Sequence, residues 1–289
     1  MKVGKGGTWW IMRQVVNFLY GLTRPACGRR LDGRMRRLSD LIRTILCVLV
    51  WMVPACTKRD HGLRLVNVGG QGPPTLVFLH GFGSTAEDWL PFAQTIRVPR
   101  AKGQTSFIFP EGPHTTTPPA GPTGGRAWWS LELASYIASP GALPDLSQAR
   151  PVGLEQATES IRILLEQRRP RLWEKSKPLV LGGFSQGAIV SLETALATKE
   201  DLAGLVLLSG TIVDEAHLVA ALPSRRGLPV FVAHGRNDRV LPFFLAERLV
   251  HHMQNAGVSV TWFPFEGGHE IPAIVVDELN AFLGRTLPK

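Results

Sequence analysis

One serine of this chain is hemmed in by small residues. The stretch from Leu179 reads LVLGGFSQGAIVSLETALA, with Gly182 and Gly183 just before Ser185 and with Gly187 and Ala188 just after it. A serine hydroxyl is a poor nucleophile at neutral pH, so it needs a base beside it and an acid that orients the base. Gly183-Phe184-Ser185-Gln186-Gly187 has the form G-x-S-x-G, with a strand-like apolar run before it and a helix-like run after it. That context holds a serine exposed on a sharp strand-to-helix corner, with the positive end of the helix aimed at the site. A glycine-rich turn that merely packs is the alternative reading of these five residues.

On such a corner the serine is followed along the chain by Asp or Glu and then by His. Two acids stand at the ends of strand-like runs after Ser185: Asp214 beyond LVLLSG, and Asp238 in HGRNDRVLP. Asp238 is preferred because its loop leaves the run next to the one that carries the histidine; as a bare residue it would read as an Asx-turn in a polar loop. The histidine is His269, in EGGHEIP. Of the others, His251 and His252 lie in a helical stretch, His61 is near a short polar linker read over Thr57–Gly62 and His217 has no strand end beside it. His234 precedes Asp238 and is expected to support its loop, while His114 sits in a long loop where it could meet substrate. An oxyanion formed at Ser185 needs two donors, expected from the backbone N–H groups of Gln186 and of Phe82 in HGFGSTAEDW. His80 and Gly81 read as architecture of that loop. No H-E-x-x-H, P-loop or G-x-G-x-x-G occurs, so neither a metal nor a nucleotide cofactor is expected.

Several elements must position these groups. LRLVNVG, TLVFLHG, SFIFPEG, PLVLGGFS, LAGLVLLSG, LPVFVAHG and VSVTWFPFEG are mostly continuous apolar runs bounded by Gly and Pro, the pattern of strands buried on both faces. Helical spacing is read over 153–168, 188–198, 245–255 and 274–283. The alternation predicts an α/β fold, with one domain over 57–289, a mostly parallel central sheet and helices on both faces. Residues 112–151 form a long Pro/Gly-rich loop, and Trp128 and Trp129 in its middle speak for a functional loop. These two rings are read either as walls of an acyl pocket or as packing that anchors the loop.

The chain has 289 residues, 44% hydrophobic and 19% charged, enough apolar content for a sizeable core. Its formal charge of +9 is concentrated at one end: residues 1–56 carry ten Lys/Arg against two Asp/Glu, leaving 22 against 21 for the rest. With no basic stripe in the body, nucleic acid is not an expected partner. Cys27, Cys47 and Cys56 all precede the domain, which excludes a cysteine nucleophile or an internal disulfide there. From Met35, basic residues lead into apolar Thr44–Val53 and then into Val53-Pro54-Ala55-Cys56. That run is too short to span a bilayer and has the dimensions of a signal-peptide core. Residues 1–56 are therefore expected to be a targeting region, with a lipoprotein signal over 35–55 and a lipidated Cys56, translation starting at Met35. A cleaved signal without lipid and a short apolar surface helix are the alternatives. The expected location is extracytoplasmic, on a membrane through Cys56 or otherwise secreted or periplasmic.

Taken in order, FLHGFGSTAEDW, GGFSQGA, AHGRNDRVLP and GGHEI resemble the α/β-hydrolase superfamily and, within it, the phospholipase/carboxylesterase family that includes acyl-protein thioesterases. The resemblance spans roughly 75–283. It implies cofactor-free hydrolysis of carboxylic esters or acyl thioesters, with Ser185, Asp238 and His269 matching the triad and Phe82 and Gln186 the oxyanion positions. Members often have Asp where Ser84 stands and Gly where Ala188 stands. The implied substrate is a small-molecule ester or a lysolipid. The other readings are a thioesterase, a serine peptidase on the same fold and an inactive binding module.

Overall fold

A computed structural model of the chain describes residues 56–60, 63–70, 72–98, 105–118, 122–130, 145–172 and 178–287. The apolar runs become strands of one eight-stranded sheet: β1 (Cys56–Asp60), β2 (Leu63–Gly69), β3 (Gly72–Leu79), β4 (Thr105–Pro110), β7 (Leu179–Phe184), β8 (Gly204–Leu208), β9 (Pro229–Gly235) and β10 (Ser259–Phe265). Two short strands, β5 (His114–Thr115) and β6 (Arg126–Ala127), pair separately. The order across the sheet is β1-β2-β4-β3-β7-β8-β9-β10. β1 and β2 are antiparallel, β2 runs against β4, and every other neighbouring pair is parallel.

Each strand sends alternate side chains to opposite faces, and two cores result. On one face Val77, Leu79, Leu181, Leu205, Leu207 and Val232 lie in a single cluster with Ile161, Ile189 and Leu249. These helical residues come from α2 (Leu154–Leu172), α3 (Gln186–Ala197) and α5 (Phe243–Asn255). On the other face Leu76, Phe78, Phe109, Val206 and Phe231 pack with Val275, Leu279 and Phe282 of α6 (Ala273–Thr286) and with Trp89, next to α1 (Leu90–Thr95). A short α4 (Glu215–Ala221) completes the α-helices among the described residues. Covering both faces explains why the strands read as unbroken apolar runs.

The sequence reading needs one correction here. Thr57–Gly62 was expected to be a polar linker, but Cys56–Asp60 form edge strand β1, in register with β2 from Cys56 opposite Asn67 to Asp60 opposite Leu63. Among the described residues, Cys56 is the first of the sheet. The targeting reading of residues 1–55 lies outside the described residues, as do 119–121 and 131–144 of the long loop.

Phe231 is fully buried and its ring centroid lies 5.6 Å from that of Phe282, which ties β9 to α6. Phe231→Ala is expected to cost about 3–5 kcal/mol of stability. A urea titration would show it as a lower midpoint at unchanged slope; an unchanged midpoint would remove Phe231 from the core.

Candidate active site

Ser185 sits where β7 turns into α3, in a backbone conformation that L-residues rarely adopt, φ 55° and ψ −121°. Strain of this kind costs about 1–3 kcal/mol and persists only where the surroundings impose it. The flanking glycines show how. A Cβ on Gly187 would lie 2.2 Å from the carbonyl oxygen of Leu79, and one on Gly183 would lie 2.4 Å from the carbonyl carbon of Gly187. The first turn of α3 is thus pressed against the end of β3 and back over β7, which only glycine permits. The serine is left half-buried at the tip of the corner.

His269 and Asp238 arrive from the ends of the next strands. The loop after β10 lies directly on the loop after β9: Arg236 N–H donates to Phe265 C=O at 2.9 Å and Asn237 N–H to Gly267 C=O at 2.9 Å. Gly235 makes that approach possible, since a Cβ there would meet Gly268 O at 2.2 Å. His269 Nδ1 stands 2.7 Å from Asp238 Oδ2, and His269 Nε2 stands 2.8 Å from Ser185 Oγ. A carboxylate only accepts, so Nδ1 carries the proton and Nε2 is free to accept from the serine hydroxyl. The Phe184 ring lies 4.8 Å from the imidazole and covers one side of it. Burial alone would push the Asp238 carboxyl up, but hydrogen bonds from His234, His269 and the Leu241 N–H outweigh it and hold the group well below the usual carboxylate range.

The expected oxyanion donors are the backbone N–H groups of Gln186 and Phe82. Gln186 opens α3, where N–H groups have no partner within the helix. Phe82 is the second residue of the turn that Ser84 N–H closes on Gly81 C=O at 3.2 Å, a position whose own N–H the turn does not use. A Cβ on Gly81 would lie 3.3 Å from Ser185 Cβ, so this turn crosses right beside the serine. Among the described residues, no three His, Cys, Asp or Glu side chains are placed to hold a metal ion.

A sequence model of the phospholipase/carboxylesterase family matches residues 63–287, more than three quarters of the chain. The chain belongs to this family. Its curated relatives include acyl-protein thioesterase 1 of Gibberella zeae, 27% identical over 75% of this chain and 92% of the relative. Acyl-protein thioesterase 1 of Cryptococcus neoformans is 32% identical over 61% of this chain and 71% of that protein. Among solved structures, esterase PE8 aligns with a TM-score of 0.63 at 26% identity, covering 81% of this chain and 99% of that one.

The structure brings Ser185, His269 and Asp238 into contact and sets the turn that carries Phe82 beside them, while the competing groups stand elsewhere. Asp214 caps α4, accepting from His217 N–H at 3.4 Å. His114 is exposed on β5, and His251 and His252 lie in α5. The reading of Trp128 and Trp129 as pocket walls is corrected: they are 0% and 2% exposed and belong to the core that holds α2 and α3. Trp128 Nε1 donates to His80 C=O at 2.8 Å. The side chain of Gln186, which the sequence reading passed over, accepts from Trp128 N–H at 2.8 Å and donates to Trp129 C=O at 3.0 Å. Its amide thus imitates a strand partner. On the other side, Gly83 N–H donates to Arg126 C=O at 2.8 Å and Arg126 N–H to Ser84 C=O at 3.0 Å. Residues 126–129 therefore brace the start of α3 and the turn that carries Phe82 at once. A polar residue after Ser185 is the sequence signal of this brace.

His80 bears the same load from below. Its Nε2 accepts from Gly112 N–H at 2.9 Å, so Nδ1 carries the hydrogen and donates to Gly81 C=O at 2.8 Å. Complete burial lowers its pKa from 6.5 to about 4. Between these values the unfolded chain binds a proton that the folded chain refuses, so stability falls as pH drops through this window, by about 3 kcal/mol from this group. The stability held by Asp238 is lost only below about pH 4, the unfolded carboxylate value. His80→Gln is expected to be less stable than the parent at pH 7 and to lose less between pH 7 and 4. Parallel slopes in urea titrations across that range would contradict the assignment. Gln186→Leu, which keeps the Gln186 backbone N–H but unfastens residues 128–129, is expected to lower kcat by about tenfold or more, against no change if its amide is idle.

Proposed function

We propose that the protein is a serine hydrolase that cleaves carboxylic esters through an acyl-enzyme. The observation that carries this reading is the 2.8 Å contact between Ser185 Oγ, on its strained corner, and the proton-free Nε2 of His269. Ser185 Oγ attacks the carbonyl carbon as its proton passes to His269 Nε2. The resulting oxyanion lies between the N–H groups of Phe82 and Gln186, at the positive end of α3. Asp238, held ionised, stabilises the imidazolium. Collapse expels the alcohol, which takes the proton from His269. Water, deprotonated by the same Nε2, then attacks the acyl-serine and restores Ser185.

Two curated relatives are named acyl-protein thioesterases, and this supports a second reading, in which the leaving group is a thiol. Lysophospholipids are a further ester class within the proposal. A small-molecule substrate fits the cofactor-free chemistry. The proposal also places the protein outside the cytoplasm, anchored by lipid at Cys56; this part rests on the sequence alone. With β1 beginning at Cys56, such an anchor would hold the sheet edge against the membrane without a tether.

A chain-length series of p-nitrophenyl esters, run beside the matching acyl thioesters, tests the reading. Activity with the esters and its loss by about 10⁴-fold or more in Ser185→Ala are expected. A higher kcat/KM for the thioester of every acyl chain would select the thioesterase reading. Activity that survives Ser185→Ala would refute both. For the anchor, Cys56→Ser is expected to move the protein from the membrane to the soluble fraction, and continued membrane partitioning would sink that part.

A further inference from the structure

His234, at the end of β9, is a fully buried imidazole that the steps above do not use. Its Nε2 lies 2.8 Å from Leu241 C=O and 3.2 Å from Asp238 Oδ2. Both neighbours only accept, so Nε2 carries a hydrogen that is shared between them. Its Nδ1 is buried without a hydrogen-bond partner among the described residues. The ring is held edge-on by Phe243 of α5 at 6.1 Å, and the far charge on that side, Arg236, lies over the Phe243 ring at 5.1 Å. The titratable group facing His234 is Asp238, with His269 behind it on the loop after β10.

Asp238 is left with a complete set of donors. Oδ1 accepts from Val240 N–H at 2.8 Å and from Leu241 N–H at 2.9 Å. Oδ2 accepts from His269 Nδ1 at 2.7 Å and from His234. Four donors occupy the four lone-pair sites of a carboxylate, so the group can neither turn nor take up water.

We propose that His234 is a positioning residue of the triad, whose shared Nε2 hydrogen fixes the rotation of the Asp238 carboxylate and limits the negative charge that Oδ2 presents to His269. The inference rests on the catalytic reading of Ser185, His269 and Asp238. It follows from two geometric facts: His234 ties Asp238 to Leu241, whose own N–H holds the opposite carboxylate oxygen, and it reaches the same oxygen that orients His269. Without that donor the carboxylate can swing, which slows proton transfer. Its uncompensated charge also favours the imidazolium, so the base is lost to protonation at a higher pH.

The test compares His234→Leu, which has no donor, with His234→Gln, whose amide N–H can reach the same acceptors. Rates are expressed per active site titrated with a fluorophosphonate, and kcat/KM is followed against pH. For His234→Leu the expected result is a kcat about tenfold lower at little-changed KM, with the acid limb moved to higher pH by about half a unit. His234→Gln is expected to recover most of both. An acid limb that stays in place in both variants, or a loss explained wholly by a smaller titrated fraction, overturns the proposal and leaves a structural role. Should His234→Leu fail to fold, a 15N-edited spectrum of the parent histidine rings decides: a hydrogen on Nε2 of His234 is required, and one on Nδ1 alone overturns the proposal. Ser185→Ala, compared with the parent per mole of protein, separates the two levels. If it is inactive and the His234 variants match the parent, only the positioning role fails; if it stays active, the triad reading fails and the positioning role with it.

Discussion

The contact on which the site depends is the closeness of the first turn of α3 to the end of β3, where Gly187 meets the carbonyl oxygens of Leu79 and His80. Any side chain at position 187 would push the helix outward. With the helix pressed in, Ser185 has nowhere to go but the φ 55° conformation at the apex, and its hydroxyl points away from the sheet toward the loops beyond β9 and β10. The strain at Ser185 is small beside the apolar burial that holds α3 on the sheet, since Ala188, Ile189, Val190, Leu192 and Ala195 all lie in one core cluster. Packing thus imposes the geometry that chemistry requires.

The polar groups around this corner are arranged so that few of them can move. His80 links the loop after β3 to Gly112, Trp128 bonds to His80, and the Gln186 amide bonds to the backbone on either side of the Trp128–Trp129 peptide. Each of these bonds is buried, where leaving one unmade costs more than the bond itself contributes. The network therefore behaves as one rigid unit behind Gln186 and the turn that carries Phe82. If their N–H groups receive an oxyanion as proposed, donors held in this way cost no reorganisation as charge develops on the substrate.

Much of this was legible in the residues. The seven apolar runs became seven strands because both faces of a parallel sheet demand continuous apolar sequence. The hydrogen-bonded meeting of Ser185, Asp238 and His269 was legible because each stands at a strand end amid glycines that permit close backbone approach. β1 was not, since Cys-Thr-Lys-Arg-Asp has the polarity of a linker and becomes a strand only through its register with β2. The Trp pair stayed ambiguous, because adjacent aromatic residues in a Pro-rich loop do not reveal which way they face. The clamp made by the Gln186 side chain joins residues 57 and 58 positions apart, a distance that no local pattern encodes.

Activation of Ser185 by His269 is tested by the rate and location of phosphonylation by a fluorophosphonate, with the adduct placed by peptide mass in the parent and in His269→Ala. A single adduct on Ser185 is expected, forming at least about 10²-fold more slowly without the imidazole. An adduct on another residue, or a rate indifferent to His269, would contradict it.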